Sequence, residues 1–174
     1  CLKKLQIISL LFIAFACPAQ KVWFGDEFND YSKGWLWSDY ETPEISRKIA
    51  GGKYYIDHKQ DDRAFWTFTP IWLDRSKDFL LEASIVQTEG SDANGFGYII
   101  SGADNRYYYF LINPLKRTFW VGSNQRGYGI PLNPSKDWEE ALAINGLNTS
   151  NKLTVQRRND KLLFLVNDKE VYED

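Results

Sequence analysis

The 174 residues contain no methionine, one histidine (His58) and two cysteines, Cys1 and Cys17, both near the N-terminus. A lone histidine cannot make a His-rich zinc site, and no cysteine after position 17 is there to help it. No basic block is interleaved with aromatics, so nucleic acid is not an expected partner. The longest apolar run, near the start, is shorter than the ~20 residues of a membrane-spanning helix. No Pro/Gly-rich linker, internal repeat or low-complexity tract interrupts the chain, and it reads as one domain over residues 20–174.

Residues 1–19 read as an export signal: Lys3 and Lys4 form a charged start, Leu5 to Ala16 an apolar centre, and Cys17 and Ala19 are the small residues before Gln20. Cleavage after Ala19 is the favoured reading. The alternative is a lipid anchor at Cys17, because Ala14-Phe15-Ala16-Cys17 is a loose lipobox; that anchor is the only expected route to a membrane. The product is then exported, whether periplasmic, on the cell surface or secreted. Loss of Lys3 and Lys4 moves the formal charge from −2 to −4. A mature chain free of cysteine must stand on a hydrophobic core instead of disulfides. The chain starts at Cys1 and stops at Asp174 just after a strand, so both ends are expected to be trimmed.

What the chain has in quantity is aromatic residues: seven Trp, ten Tyr and eleven Phe. With Val, Ile and Thr they cluster into short runs that predict strands at Tyr54–Asp57, Phe65–Thr69, Phe79–Gln87, Gly95–Ser101, Tyr107–Asn113, Thr118–Gly122, Leu153–Gln156 and Leu162–Val166. Turn signals such as Gly51-Gly52, Asp74-Arg75-Ser76 and Asn113-Pro114 separate them. Asn159-Asp160 and Asn167-Asp168 suit the positive φ of tight hairpin loops. In Phe79–Gln87, Leu81, Ala83 and Ile85 share one face, with Glu82 and Ser84 on the other. Only Asp137–Ile144 offers helical spacing, as one or two turns or a loop. The fold class is all-β, an antiparallel sandwich or barrel.

Several motifs recur in order. Phe24-Gly-Asp-Glu-Phe-Asn-Asp30 is followed by Gly34-Trp35, Asn94-Gly-Phe-Gly-Tyr98 by Tyr107-Tyr-Tyr-Phe-Leu-Ile-Asn113 and Phe119-Trp-Val-Gly122. The chain closes on Asn151-Lys-Leu-Thr-Val155 and Phe164-Leu-Val-Asn167. Together, over about residues 23–172, they resemble the concanavalin A-like (laminin-G-like) jelly roll of exported bacterial proteins. The resemblance implies a β-sandwich whose opening strand lies near Phe24–Phe28, and the closing strands that would pair with it are missing. It also implies a binding role more than a catalytic one, with carbohydrate or a cell-envelope component as partner. The outline overlaps as well with the 3-keto-disaccharide hydrolase-like family, where Asp92-Ala-Asn-Gly95 stands in place of that family's Asn-Ser-Gly. A glycoside-processing hydrolase is therefore the enzymatic alternative, and an accessory domain of a longer polypeptide is a third reading.

Hydrolysis by a sandwich enzyme wants carboxylates at alternate strand positions, so that acid and nucleophile face one cleft. No such string occurs. Asp26, Asp61 and Asp62 are the carboxylates the enzymatic reading would use, yet Asp26-Glu27 and Asp61-Asp62 are adjacent pairs that a strand would point apart. His58 is expected to be an exposed strand-end residue. No cofactor is expected, with calcium the one metal the loops would suit, through Asp92, Asn94, Asp104 and Asn105, and no ligand set is assigned to it. For sugar binding the candidates are Tyr108 and Trp120 as stacking platforms, Tyr128 as a third aromatic, and Arg106 and Arg126 as hydrogen-bond donors. Alternation along each strand says only that one member of each neighbouring set faces outward.

Overall fold

The computed structural model describes residues 24–32, 38–60, 64–67, 69–71, 73–74, 76–101, 107–125 and 128–174, apart from the side chains of Ser101, Gln125 and Tyr128. The export signal, Cys17, Asp61, Asp62, Asp104, Asn105, Arg106 and Arg126 lie outside the described residues. All described regular structure is β, every strand pair is antiparallel, and the chain divides into two compact units, Cys1–Ile71 and Trp72–Asp174.

In the first unit β1 (Tyr40–Glu41), β2 (Ile45–Ala50) and β3 (Lys53–His58) form a sheet in that order. Gly51 and Gly52, with φ of 56° and 70°, make the two-residue turn between β2 and β3. Both central residues of such a turn need positive φ, which glycine adopts without a Cβ clash. Phe24–Phe28, expected as the opening strand, is not one. The Asp26 carboxylate accepts the Phe28 amide at 2.8 Å and Phe28 has φ 51°, a local side-chain turn that competes with extension. The Phe28 ring stacks on Tyr54 at 5.8 Å.

The second unit is a sandwich of two sheets. One contains β12 (Lys169–Glu173), β11 (Lys161–Val166), β10 (Asn151–Arg158) and β4 (Phe79–Ile85), in that order. The other has the order β5 (Phe96–Ser101), β6 (Tyr107–Asn113), β7 (Thr118–Gln125) and β8 (Tyr128–Pro131), and the short β9 (Glu139–Glu140) also pairs with β7. Phe110, Ile112, Phe119 and Val121 from one sheet and Leu153, Val155, Phe164 and Val166 from the other form a single buried core, closed by Ile144. The period of two explains the division: alternate residues point inward and their neighbours outward. Asn159-Asp160 and Asn167-Asp168 have φ of 52°, 65°, 50° and 64°, the expected tight turns joining β10–β11 and β11–β12.

Two expected elements differ. Phe65–Thr69 enters no ladder in its described part. Asp137–Ile144 forms no helix: Glu139 and Glu140 pair with Phe119 and Thr118, then a turn closes with the Ile144 amide on the Ala141 carbonyl at 3.0 Å. Trp138 anchors this segment over Gly95, where an added Cβ would lie 2.2 Å from Trp138 Cη2 and 2.9 Å from the Ile112 carbonyl oxygen. Gly95→Ala is therefore expected to lower stability by about 1–3 kcal/mol, the usual cost of overpacking. A thermal melt checks it, and an unchanged melting temperature would mean that the indole moves aside freely.

Candidate functional site

Strand register decides which aromatics share a face. Asn113 pairs with Thr118 across the turn 114–117, so Leu111 stands opposite Trp120, Tyr109 opposite Gly122 and Tyr107 opposite Asn124. Phe110, Ile112, Phe119 and Val121 point into the core, so these other residues form the outer face. On β5, Gly97 and Ile99 join them, opposite Leu111 and Tyr109. On β8, Gly129 and Pro131 extend the face beyond Asn124 and Gly122. From β5 to β8 this face carries no charged residue among those described.

Trp120 lies on this outer face, and Tyr108 lies on the other. Tyr108 shares the core-side parity of Phe110 and stands opposite Ser123 and Ile100, so Tyr108 and Trp120 occupy opposite faces of the sheet. The residue the structure brings to Trp120 is Tyr109, with ring centroids 5.8 Å apart and planes tilted by 48°. The indole lies back along β7 over Gly122, where a Cβ would meet Trp120 Cη2 at 2.3 Å. Any larger residue at position 122 would lift the ring off the sheet. Asn124 donates its side-chain amide to the Tyr109 hydroxyl at 3.3 Å, which orients the phenol. Tyr107 and Ile99 are 36% and 39% exposed, and they widen the apolar surface beside this pair. Tyr128 pairs with Gln125 through its backbone on β8.

A missed signal explains the substitution of Tyr109 for Tyr108. The four residues between Asn113 and Thr118 set the register of the β6–β7 hairpin, and register plus one known core residue fixes every outward position. Alternation alone supplies only the parity.

The outer face of the opposite sheet differs in kind. Lys152 contacts Glu82 at 3.6 Å and Asp168, and Thr154 donates to Glu82 at 3.2 Å. The Lys152 ammonium is held above its usual pKa, first by its hydrogen bond to Asp168 and then by the charges of Asp168 and Glu82. Leu80, Leu163 and Leu165 share this face and Thr154 is buried in it, so it is a mixed surface on which the exposed ion pairs contribute little stability.

Asp92 and Asn94, two of the calcium candidates, are tied into the scaffold. Asn113 donates its amide to their backbone carbonyls at 2.8 and 3.2 Å, and the Asp92 carboxylate lies 3.6 Å from Lys116. Among the described residues, no group of three or more His, Cys, Asp or Glu side chains is arranged to hold a metal. Of the carboxylates considered for hydrolysis, Asp26 serves the turn at Phe28. His58 closes β3 as an exposed residue, with Phe65 6.1 Å away.

Comparisons with family models, with curated proteins and with solved structures find no match to this chain.

Proposed function

We propose that this chain is an exported, non-catalytic binding module of the concanavalin A-like kind that recognises carbohydrate, free or in the cell envelope. One observation carries the reading: Trp120 and Tyr109 lie side by side on the outer face of the five-stranded sheet, which carries no described charge from β5 to β8, the nearest being Glu140 of β9 opposite Thr118. The opposite sheet turns ion pairs outward. A pyranose ring presents an apolar C–H face that matches an aromatic plane, while its hydroxyls seek amides and phenols at the rim. Asn124 and the Tyr109 hydroxyl offer such groups. An acidic or basic ligand would find no counter-charge on this face between β5 and β8.

A glycan array probed with the mature chain, followed by titration calorimetry of the best ligand, tests the reading. Trp120→Ala is expected to weaken binding by at least on the order of tenfold, as truncation of a buried aromatic anchor usually does. Gln156→Ala, on the other sheet, should leave affinity unchanged. An empty array together with an empty pull-down from envelope extract would sink the proposal. So would a Trp120→Ala protein that folds and binds as well as the parent.

A further inference from the structure

We infer a second binding site, on the first unit, in which Arg47 receives a carboxylate-bearing small molecule. Arg47 stands in the middle strand of the three-stranded sheet, paired with Tyr40 on β1 and Ile56 on β3. Its guanidinium carbon lies 4.9 Å from the centre of the Tyr40 ring and 5.6 Å from that of Phe65. Cation–π contacts at these distances hold the group and strip it of water without consuming its N–H donors. Nε is buried and has no hydrogen-bond partner. Among the described residues no carboxylate reaches the guanidinium. A half-buried arginine left in that state is costly, because a desolvated donor ordinarily finds an acceptor.

Beside it a groove of about 340 Å³ is lined by Asp39, Tyr40, Glu41, Ser46, Arg47 and Lys48. That volume is at the lower end of the roughly 300–1,000 Å³ of small-molecule sites. The two acids of the groove are engaged. Asp39 accepts from the Tyr31 hydroxyl and from the Ile49 amide at 3.3 Å, and Glu41 lies 4.0 Å from Lys59. Lys48 sits 5.7 Å from the Tyr55 ring and adds a second positive charge to the lining. What remains unanswered is Arg47, which lines the groove and whose buried Nε has no partner. A carboxylate matches the planar donor fork of a guanidinium with two parallel hydrogen bonds. A phosphate dianion would bring more negative charge against Asp39 and Glu41, so the single charge of a carboxylate is the better fit.

The test is an NMR titration that follows the Arg47 Nε–H signal and the Tyr40 ring, with glucuronate, glucose and inorganic phosphate as probes. Glucuronate is expected to shift both signals saturably. Glucose should leave them unmoved, and phosphate should act more weakly than glucuronate. Arg47→Lys keeps the charge and loses the fork, so its affinity for glucuronate should fall on the order of tenfold. No saturable shift with glucuronate would overturn the inference. An equal response to glucose, tighter binding of phosphate, or an undiminished Arg47→Lys variant would do so too. The wild-type titration stands by itself if that variant fails to fold. Failure here leaves the Trp120 face untouched, because a neutral glycan binding there is read out separately.

Discussion

Phe164→Ala is expected to cost about 3–5 kcal/mol of stability, the range for removing a large aromatic from a packed core. Phe164 is 0% exposed and sits on β11 between Val155 of β10 and Tyr172 of β12. Its ring meets Phe110 of the opposite sheet edge-on, with centroids 5.4 Å apart and planes at 74°, and Tyr172 lies 5.8 Å away on its own sheet. Truncation therefore removes the transfer energy of the ring, leaves a cavity between two sheets that cannot close independently, and loses two aromatic contacts. Against a domain stability of roughly 5–15 kcal/mol, that loss alone brings the sandwich near its limit. Phe164→Leu should cost about 1–2 kcal/mol, since it keeps most of the volume. Urea unfolding followed by tryptophan fluorescence gives both numbers. A loss below about 1 kcal/mol for the alanine variant would mean that the sheets do not depend on this contact. By comparison, Lys161 with Glu173 is an exposed pair, and deleting it should change little.

The sandwich was legible where local rules and burial agree. Tyr107–Asn113 coincides with β6 because its inward residues, Phe110 and Ile112, are core and its flanks are turn residues. Asn159-Asp160 and Asn167-Asp168 announced their turns through side chains that tolerate positive φ. The β2 strand was missed for a physical reason. In Ile45–Ala50 the position between Ile45 and Ile49 on one face is Arg47, whose charge breaks the apolar alternation, while two aromatic rings supply its packing. Phe65–Thr69 erred in the other direction: its composition is strand-like, yet Phe65 is spent on Arg47 and His58 and no ladder forms in the described part. β8 was invisible because Gly129 and Pro131 weaken the strand signal, and such residues are tolerated at a sheet edge. The candidate site was half legible for a related reason. Parity along a strand is local information, whereas the sign of a face depends on which neighbours are buried across the sandwich.

The last strong expectation concerns polar groups in the interior. Asn151→Ala should destabilise the second unit by about 2–4 kcal/mol, although it removes no large apolar surface. Asn151 is 0% exposed. Its carbonyl oxygen accepts from the Asn145 amide at 2.8 Å and from the Asn167 side chain at 3.0 Å, and its own amide donates to the Asn145 carbonyl at 3.0 Å. Asn167 in turn donates to the Ala143 carbonyl at 2.7 Å and accepts from the Lys152 amide at 2.8 Å. These two asparagines bracket the C-terminal sequence motif, and the bonds show why both ends of it carry the same residue. One side chain holds the loop before β10, the other closes the turn after β11, and they meet. Alanine at 151 takes away the partner of two Asn145 backbone groups and of one Asn167 N–H and leaves a void where a fully buried side chain stood; each unmet partner costs up to about 1–3 kcal/mol, less where water reaches the exposed Asn145, and the costs do not simply add. Asn167→Ala should be less damaging, because that residue is only partly buried and water can replace some of its bonds. The double variant decides whether the pair acts as a unit: a loss well short of the sum of the two single losses is expected. Strict additivity in urea denaturation would refute the coupling and leave two independent turn residues.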